Sequence, residues 1–114
     1  MLSTNKPLSP KVEKMERTDV FSVEVLGAAG GYPYQGHACS GFLVNAGSDR
    51  ILMDCGPGVG LRLLDRMRAS DLTGIVLTHI HPDHVLDLIT VGYALMTEWV
   101  FLKRNKPVPV LLPI

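Results

Sequence analysis

One stretch constrains this chain more than any other. Ile75-Val76-Leu77, a short unbroken apolar run, leads into Thr78-His79-Ile80-His81-Pro82-Asp83-His84, and a helical pattern follows from about Val85 or Leu88 to Lys103. A continuous apolar run of this length reads as a strand covered on both faces, as in an open parallel sheet. Leu88, Gly92, Leu95, Trp99 and Leu102 form one helical stripe, widened by Ile89, Tyr93, Met96 and Val100, which predicts a core-facing helix. Between two such elements, a polar loop has no packing reason to hold three of the chain's four histidines. The order of strand, loop and helix calls for an α/β layered architecture.

The flanking segments fit the same class. Phe21, Val23 and Val25 alternate with Ser22 and Glu24, the period-two signature of a half-buried strand. A glycine-rich loop follows over 27–36. Ser40 to Val44 and Ile51 to Asp54 read as two strands joined by a hairpin turn at 45–49. Asp54-Cys55-Gly56-Pro57-Gly58 ends the second strand and starts a helix, with Pro57 suited to a first helical position because it has no N–H to leave unpaired. Val59, Leu63 and Met67 carry that helix until Ser70-Asp71 breaks it, and Val108 to Leu112 predicts a last buried strand. Residues 1–19, with Pro7, Pro10 and interspersed charges, read as a mobile N-terminal arm, leaving 20–114 as a single domain.

Composition narrows the function classes. The 114 residues are 46% hydrophobic and 19% charged, which excludes a disordered chain, a collagen-like repeat and a coiled coil. Eleven Lys+Arg balance eleven Asp+Glu, so no overall basic field points to nucleic acid, although a local patch would still serve one. Asp87, Thr97 and Glu98 interrupt the most apolar stretch, short of the ~20 apolar residues of a membrane span. Two cysteines and a charged N-terminus without an apolar signal core point to a reduced, cytoplasmic setting. Mean hydropathy is +0.22, greasy for a small domain, and predicts an apolar face that something else covers.

The chemistry lies in the polar loop. His79 and His81 are two apart, so in an extended segment both imidazoles project to one side. Asp83 and His84 follow after Pro82 turns the chain into a helix and face a neighbouring point. An isolated H-x-H pair is ordinarily two unrelated surface histidines. The complete H-x-H-x-D-H word supplies donors for two adjacent metal ions, since imidazole nitrogen and carboxylate oxygen suit zinc, manganese or iron. Its position at the carboxyl end of a strand is where ligand sites gather in α/β sheets. Gly56-Pro57-Gly58-Val59-Gly60 lacks the spacing of a dinucleotide or phosphate loop and reads as the turn into the first helix. Cys55 reads as a small buried residue rather than a nucleophile, and Tyr32 and Tyr34 either stack on a substrate ring or pin their loop to the core.

The word formed by His79, His81, Asp83 and His84 resembles the signature of the metallo-β-lactamase superfamily. Asp54-Cys55-Gly56-Pro57-Gly58 resembles the aspartate-glycine turn that precedes this signature. Gly27 to Pro33, followed by Ser40 to Val44, is similar to the opening of the ribonuclease Z-like and phosphodiesterase-like branch, and the match runs from about Val20 to Leu112. The resemblance implies a four-layer αββα sandwich with a hydroxide held between two divalent metal ions, zinc first and manganese or iron as alternatives. It implies that His79 and His81 ligate the first ion and Asp83 and His84 the second. Asp83 would also handle the proton of the attacking water, and Asp54 would brace the metal loop without ligating.

The implied activity is hydrolysis of a phosphodiester, in RNA or a cyclic nucleotide. Hydrolysis of a thioester, lactone or other carbonyl ester is the alternative within the family. The family completes its site with a further histidine, a bridging aspartate and a last histidine well downstream, whereas the only other histidine, His37, lies upstream in the glycine-rich loop and matches none of them. The expectation is therefore the N-terminal half of the fold, inactive alone, that forms a homo-oligomer or takes a second chain to complete it. A smaller departure is Leu86-Asp87, where many relatives carry a Gly-Gly pair.

Overall fold

The alternating segment forms β1 (Phe21–Gly27), which pairs antiparallel with β2 (Gly41–Ala46), itself paired antiparallel with β3 (Asp49–Met53). The computed structural model describes residues 21–104 and 106–114, and the expected arm at 1–19 lies outside the described residues. The β2–β3 turn is tight, with Ala46 opposite Asp49 and Gly47 at φ 62°, a left-handed value that glycine adopts without a side-chain clash. Helix α1 (Val59–Leu64) and a 3-10 turn (Ala69–Asp71) lead to β4 (Gly74–Val76), parallel to β3. The short helix α2 (Pro82–Val85) and the long α3 (Leu88–Leu102) then carry the chain to β5 (Val110–Leu111), parallel to β4. The result is one five-stranded mixed sheet in the order β1-β2-β3-β4-β5.

The two faces of that sheet have different fates. Leu26, Leu43, Leu52 and Ile75 project to one face and are buried with Val59 and Leu63 of α1, Leu72, and Val91 of α3. Strand register puts Val23, Val44 and Ile51 together on the opposite face, and likewise Val25, Phe42, Met53, Val76 and Leu111. Nothing among the described residues covers them. Phe21, Val23 and Val25 are exposed, Phe21 by 68%, and Phe42, Val44, Ile51, Met53 and Val76 are only half-buried. The period-two pattern of β1 is therefore real, but its apolar side is the open one. An apolar sheet face of this kind fits against a second sheet.

Helix α3 departs from its expected face. Val91 and Glu98 are its buried residues, and Leu88, Ala94 and Leu95 are partly covered, whereas Tyr93 is 67% and Trp99 62% exposed. Ile89, Met96 and Val100 are exposed too. The stripe containing Met96 and Trp99 is thus not core, because the helix is apolar all round and its sequence period cannot choose which side meets the sheet.

Glu98 sits on the inner side because its carboxylate accepts the backbone N–H groups of Ala69 and Ser70, both at 3.0 Å. Arg104 closes the same contact, with Nε donating to Ser70 Oγ at 2.8 Å and NH2 to Asp71 Oδ1 at 2.7 Å. From Pro82 to Leu102 the chain is, by length and composition alone, one helical stretch apolar enough to cross a membrane. Asp87 nonetheless parts the two helices, as the residue that caps α3, and Thr97 and Glu98 remain polar positions within the run. Their polar atoms turn back onto the protein's own backbone: Thr97 Oγ1, for instance, donates to Tyr93 O at 2.9 Å.

Candidate metal centre

The site starts at the end of β3. Asp54 is 97% buried in effect, with only 3% of its surface exposed, and has φ 63°, a left-handed value uncommon for a residue other than glycine. That turn directs its carboxylate across to the neighbouring strand end. Oδ1 accepts the Thr78 N–H at 2.8 Å, and Oδ2 accepts the Thr78 hydroxyl at 2.7 Å and meets His84 Nδ1 at 3.0 Å. Ser40 Oγ donates to the same Oδ2 at 3.4 Å. Burial pushes the Asp54 carboxyl up, but the Thr78 donors and the His84 ring outweigh it and hold it below its ordinary value.

A backbone seam locks the two motifs together. Cys55 N–H donates to His84 O at 2.7 Å, and Asp87 N–H donates to Cys55 O at 3.0 Å. Asp87 Oδ2 also accepts the N–H groups of Gly58 (3.0 Å) and Gly60 (2.7 Å), the otherwise unpaired amides at the start of α1. The Asp87 side chain thus ties α1 to the histidine loop. Gly56 is required at this seam, because a Cβ there would overlap the Asp83 carbonyl.

The expected ligands come together. The rings of His79 and His81 lie 6.0 Å apart and nearly parallel, as their two-residue spacing predicts, and His79 and His84 are 4.8 Å apart. His84 Nε2 lies 3.5 Å from Asp83 Oδ2. Two ligands of one tetrahedral zinc, with bonds of ~2.0–2.1 Å, are separated by about 3.3–3.4 Å, so this pair has near-ligand spacing. The Nδ1 atoms of His84 and His79 are engaged, by Asp54 and by the Thr78 hydroxyl at 3.0 Å respectively, which leaves Nε2 of each as the outward nitrogen. The donor set therefore fits a divalent cation in its chemistry. Among the described residues no three side chains are closed around one point, so the donors stand side by side rather than as a finished cage.

Two contributors were not predicted. Gly31 N–H, in the glycine-rich loop, donates to Asp83 Oδ2 at 3.2 Å and is the leading reason that the Asp83 carboxyl is held below its ordinary value. Thr78 is the second; its place beside the motif was the only signal in the sequence. Of the remaining candidates, Cys55 is fully buried and its thiol is pushed up to about 12, first by burial and then by Asp87 and Asp54, so it is no nucleophile. His37 lies against Tyr34, 5.9 Å between rings, outside the cluster. Tyr32 and Tyr34 are exposed and therefore do not pin the loop to the core.

Comparison with known proteins agrees with this fold. The sequence pattern of the metallo-beta-lactamase superfamily matches residues 34–98. YhfI of Bacillus subtilis is 38% identical over 74 residues, covering 65% of this chain and 30% of YhfI. Its crystal structure, described as a metallo-beta-lactamase fold protein, superposes with a TM-score of 0.74 at 32% identity, over 79% of this chain and 37% of that one. Ribonuclease Z of Mycobacterium avium is 40% identical over 96 residues, 83% of this chain and 32% of the enzyme. The short form of human tRNase Z superposes with a TM-score of 0.63 at 27% identity, over 77% of this chain and 33% of that one. The chain spans about a third of the length of the curated relatives it matches. With the superfamily pattern matching residues 34–98, more than half of the chain, and the fold superposing on that of YhfI, the chain belongs to the metallo-beta-lactamase superfamily.

Proposed function

We propose that this chain carries the proximal part of the active site of a metal-dependent phosphodiesterase acting on RNA or a cyclic nucleotide. The observation that carries the reading is the cluster of His79, His81, Asp83 and His84 braced by buried Asp54, on a chain 40% identical to a ribonuclease Z. His79 and His81 would hold one divalent ion and Asp83 with His84 a second, zinc being the best match to this imidazole-rich set and manganese or iron the alternatives. When bound, the ions supply Lewis acidity toward water and a phosphoryl oxygen. Asp83, which the Gly31 N–H orients through a 3.2 Å hydrogen bond to Oδ2, would take or hand on the proton of the attacking water.

The open sheet face supports a further part of the reading, that activity needs a second body. That body, a second copy or another polypeptide segment, would cover Val23, Val25, Phe42 and Val44 and supply the remaining ligands. Protein rather than lipid is the proposed cover, because the apolar surface includes a pleated sheet face and because Asp83, His84, Asp87 and Glu98 all lie within the apolar helical stretch.

The reading is tested on metal content and on turnover. His79→Ala and His81→Ala are expected to lose bound zinc by mass spectrometry after dialysis, and Asp83→Ala to lose more activity than metal. Metal content unchanged in all three overturns the assignment. With the remainder of the site present, turnover of bis-p-nitrophenyl phosphate above that of p-nitrophenyl acetate supports the phosphodiester, and the reverse order supports a carbonyl ester.

A further inference from the structure

Thr78 sits between two groups that the metal-centre reading treats separately. Its hydroxyl is 2.7 Å from Asp54 Oδ2 and 3.0 Å from His79 Nδ1. A hydroxyl has one proton to give, and an ionised carboxylate can only accept. The Thr78 proton therefore goes to Asp54, and the hydroxyl can meet the His79 ring only as an acceptor. The His79 nitrogen facing it must then bear the hydrogen. In a neutral imidazole that leaves the lone pair on Nε2, the atom a metal would use. His84 reaches the same state by a shorter route, since its Nδ1 lies 3.0 Å from the same carboxylate oxygen.

We propose that Thr78 is a positioning residue whose hydroxyl relays the Asp54 carboxylate to His79, so that one buried acid fixes the tautomer of two neighbouring histidines, whose rings lie 4.8 Å apart. Its consequence for metal affinity rests on the metal-centre reading, whereas the tautomer itself does not. The relay also explains why threonine suits this position. The backbone N–H of Thr78 is already bonded to Asp54 Oδ1, which holds the residue in place and leaves its side chain to orient the ring that follows.

The test uses the metal-free 114-residue chain with 15N-labelled histidine at about pH 8, above the ordinary imidazole range near 6.5. Long-range 1H–15N correlation distinguishes the two tautomers. Wild type is expected to show the Nδ1–H form at both His79 and His84. Thr78→Val, which keeps shape and backbone, is expected to release His79 from that form while His84 keeps it, and Thr78→Ser is expected to restore it. Zinc affinity measured by competition with a chelator should fall about 10–100-fold in Thr78→Val, the range typical for lost support of a ligating histidine, and recover in Thr78→Ser.

A wild-type His79 in the Nε2–H form overturns the relay. So does a Thr78→Val chain with an unchanged His79, or one in which His84 changes equally. If the tautomers behave as expected but wild type takes up no zinc, the relay stands and the metal-centre reading fails.

Discussion

Asp54 gathers more of the site's organisation than any of the expected ligands. Its carboxylate meets both donors of Thr78 and the His84 ring, and its left-handed backbone is what makes those contacts possible. Asp54→Asn keeps a residue that tolerates a positive φ but removes the charge and one acceptor oxygen. Loss of a hydrogen-bonded partner in a buried network costs about 1–3 kcal/mol. The variant is therefore expected to unfold at lower denaturant and to bind zinc about 10–100-fold more weakly. Wild-type affinity in a chelator competition assay would remove Asp54 from the centre. The histidine word and the aspartate before Gly56 were both legible in the sequence. Their connection was not, because it depends on the backbone angle at Asp54 and on a threonine hydroxyl, and neither leaves a spacing pattern.

At the scale of elements, the docking of α3 on the 3-10 turn is held by a buried acid inside an apolar helix. Burial pushes the Glu98 carboxyl up, but the Ser70 and Ala69 donors, with Arg104 nearby, bring it below its ordinary value. A carboxyl lowered on folding contributes stability that is fully present above its unfolded value, near 4.3, and is lost as pH falls through the folded one. The melting temperature should therefore drop on acidification below about pH 4.3, and Glu98→Gln should flatten that acid dependence. At neutral pH the same substitution replaces one accepting oxygen by an amide donor facing an N–H, at a cost of about 1–3 kcal/mol. An unchanged melting profile from neutral to acid pH would exclude Glu98 as the pin. Helix positions here were readable from runs and breakers: Pro82 opens α2 and Lys103 ends α3. The inward side of α3 was not readable, since Trp99 and Tyr93 look like core residues until Glu98 and Val91 are seen to occupy the contact.

For the whole molecule, the decisive feature is a sheet with one covered apolar face and one that no described residue covers. The apolar surplus in the composition anticipated such a surface, but strand register was needed to locate it on Val23, Val25, Val44 and Ile51. Apolar surface of this kind favours association at about 25 cal/mol per Å² removed from water. Light scattering of the chain alone should report a mass well above 12.4 kDa. Val25→Lys should reduce that mass without lowering stability, because Val25 is already exposed and the core lies on the other face. A monodisperse wild-type monomer would count against a covered face.

The seam between the Asp54 turn and the histidine loop has a consequence in time. Its two bonds, from Cys55 N–H to His84 O and from Asp87 N–H to Cys55 O, interlock, so neither amide can open while the other segment stays docked. Amide protons that share one opening event exchange with deuterium at one free energy, however far apart they lie along the chain. Cys55 and Asp87 should exchange together, and more slowly than the Tyr32 amide, which bonds only to Gly30 O two residues away in an exposed loop, and this would mark the Asp54 turn and the histidine loop as one cooperative unit that forms or frays in a single step.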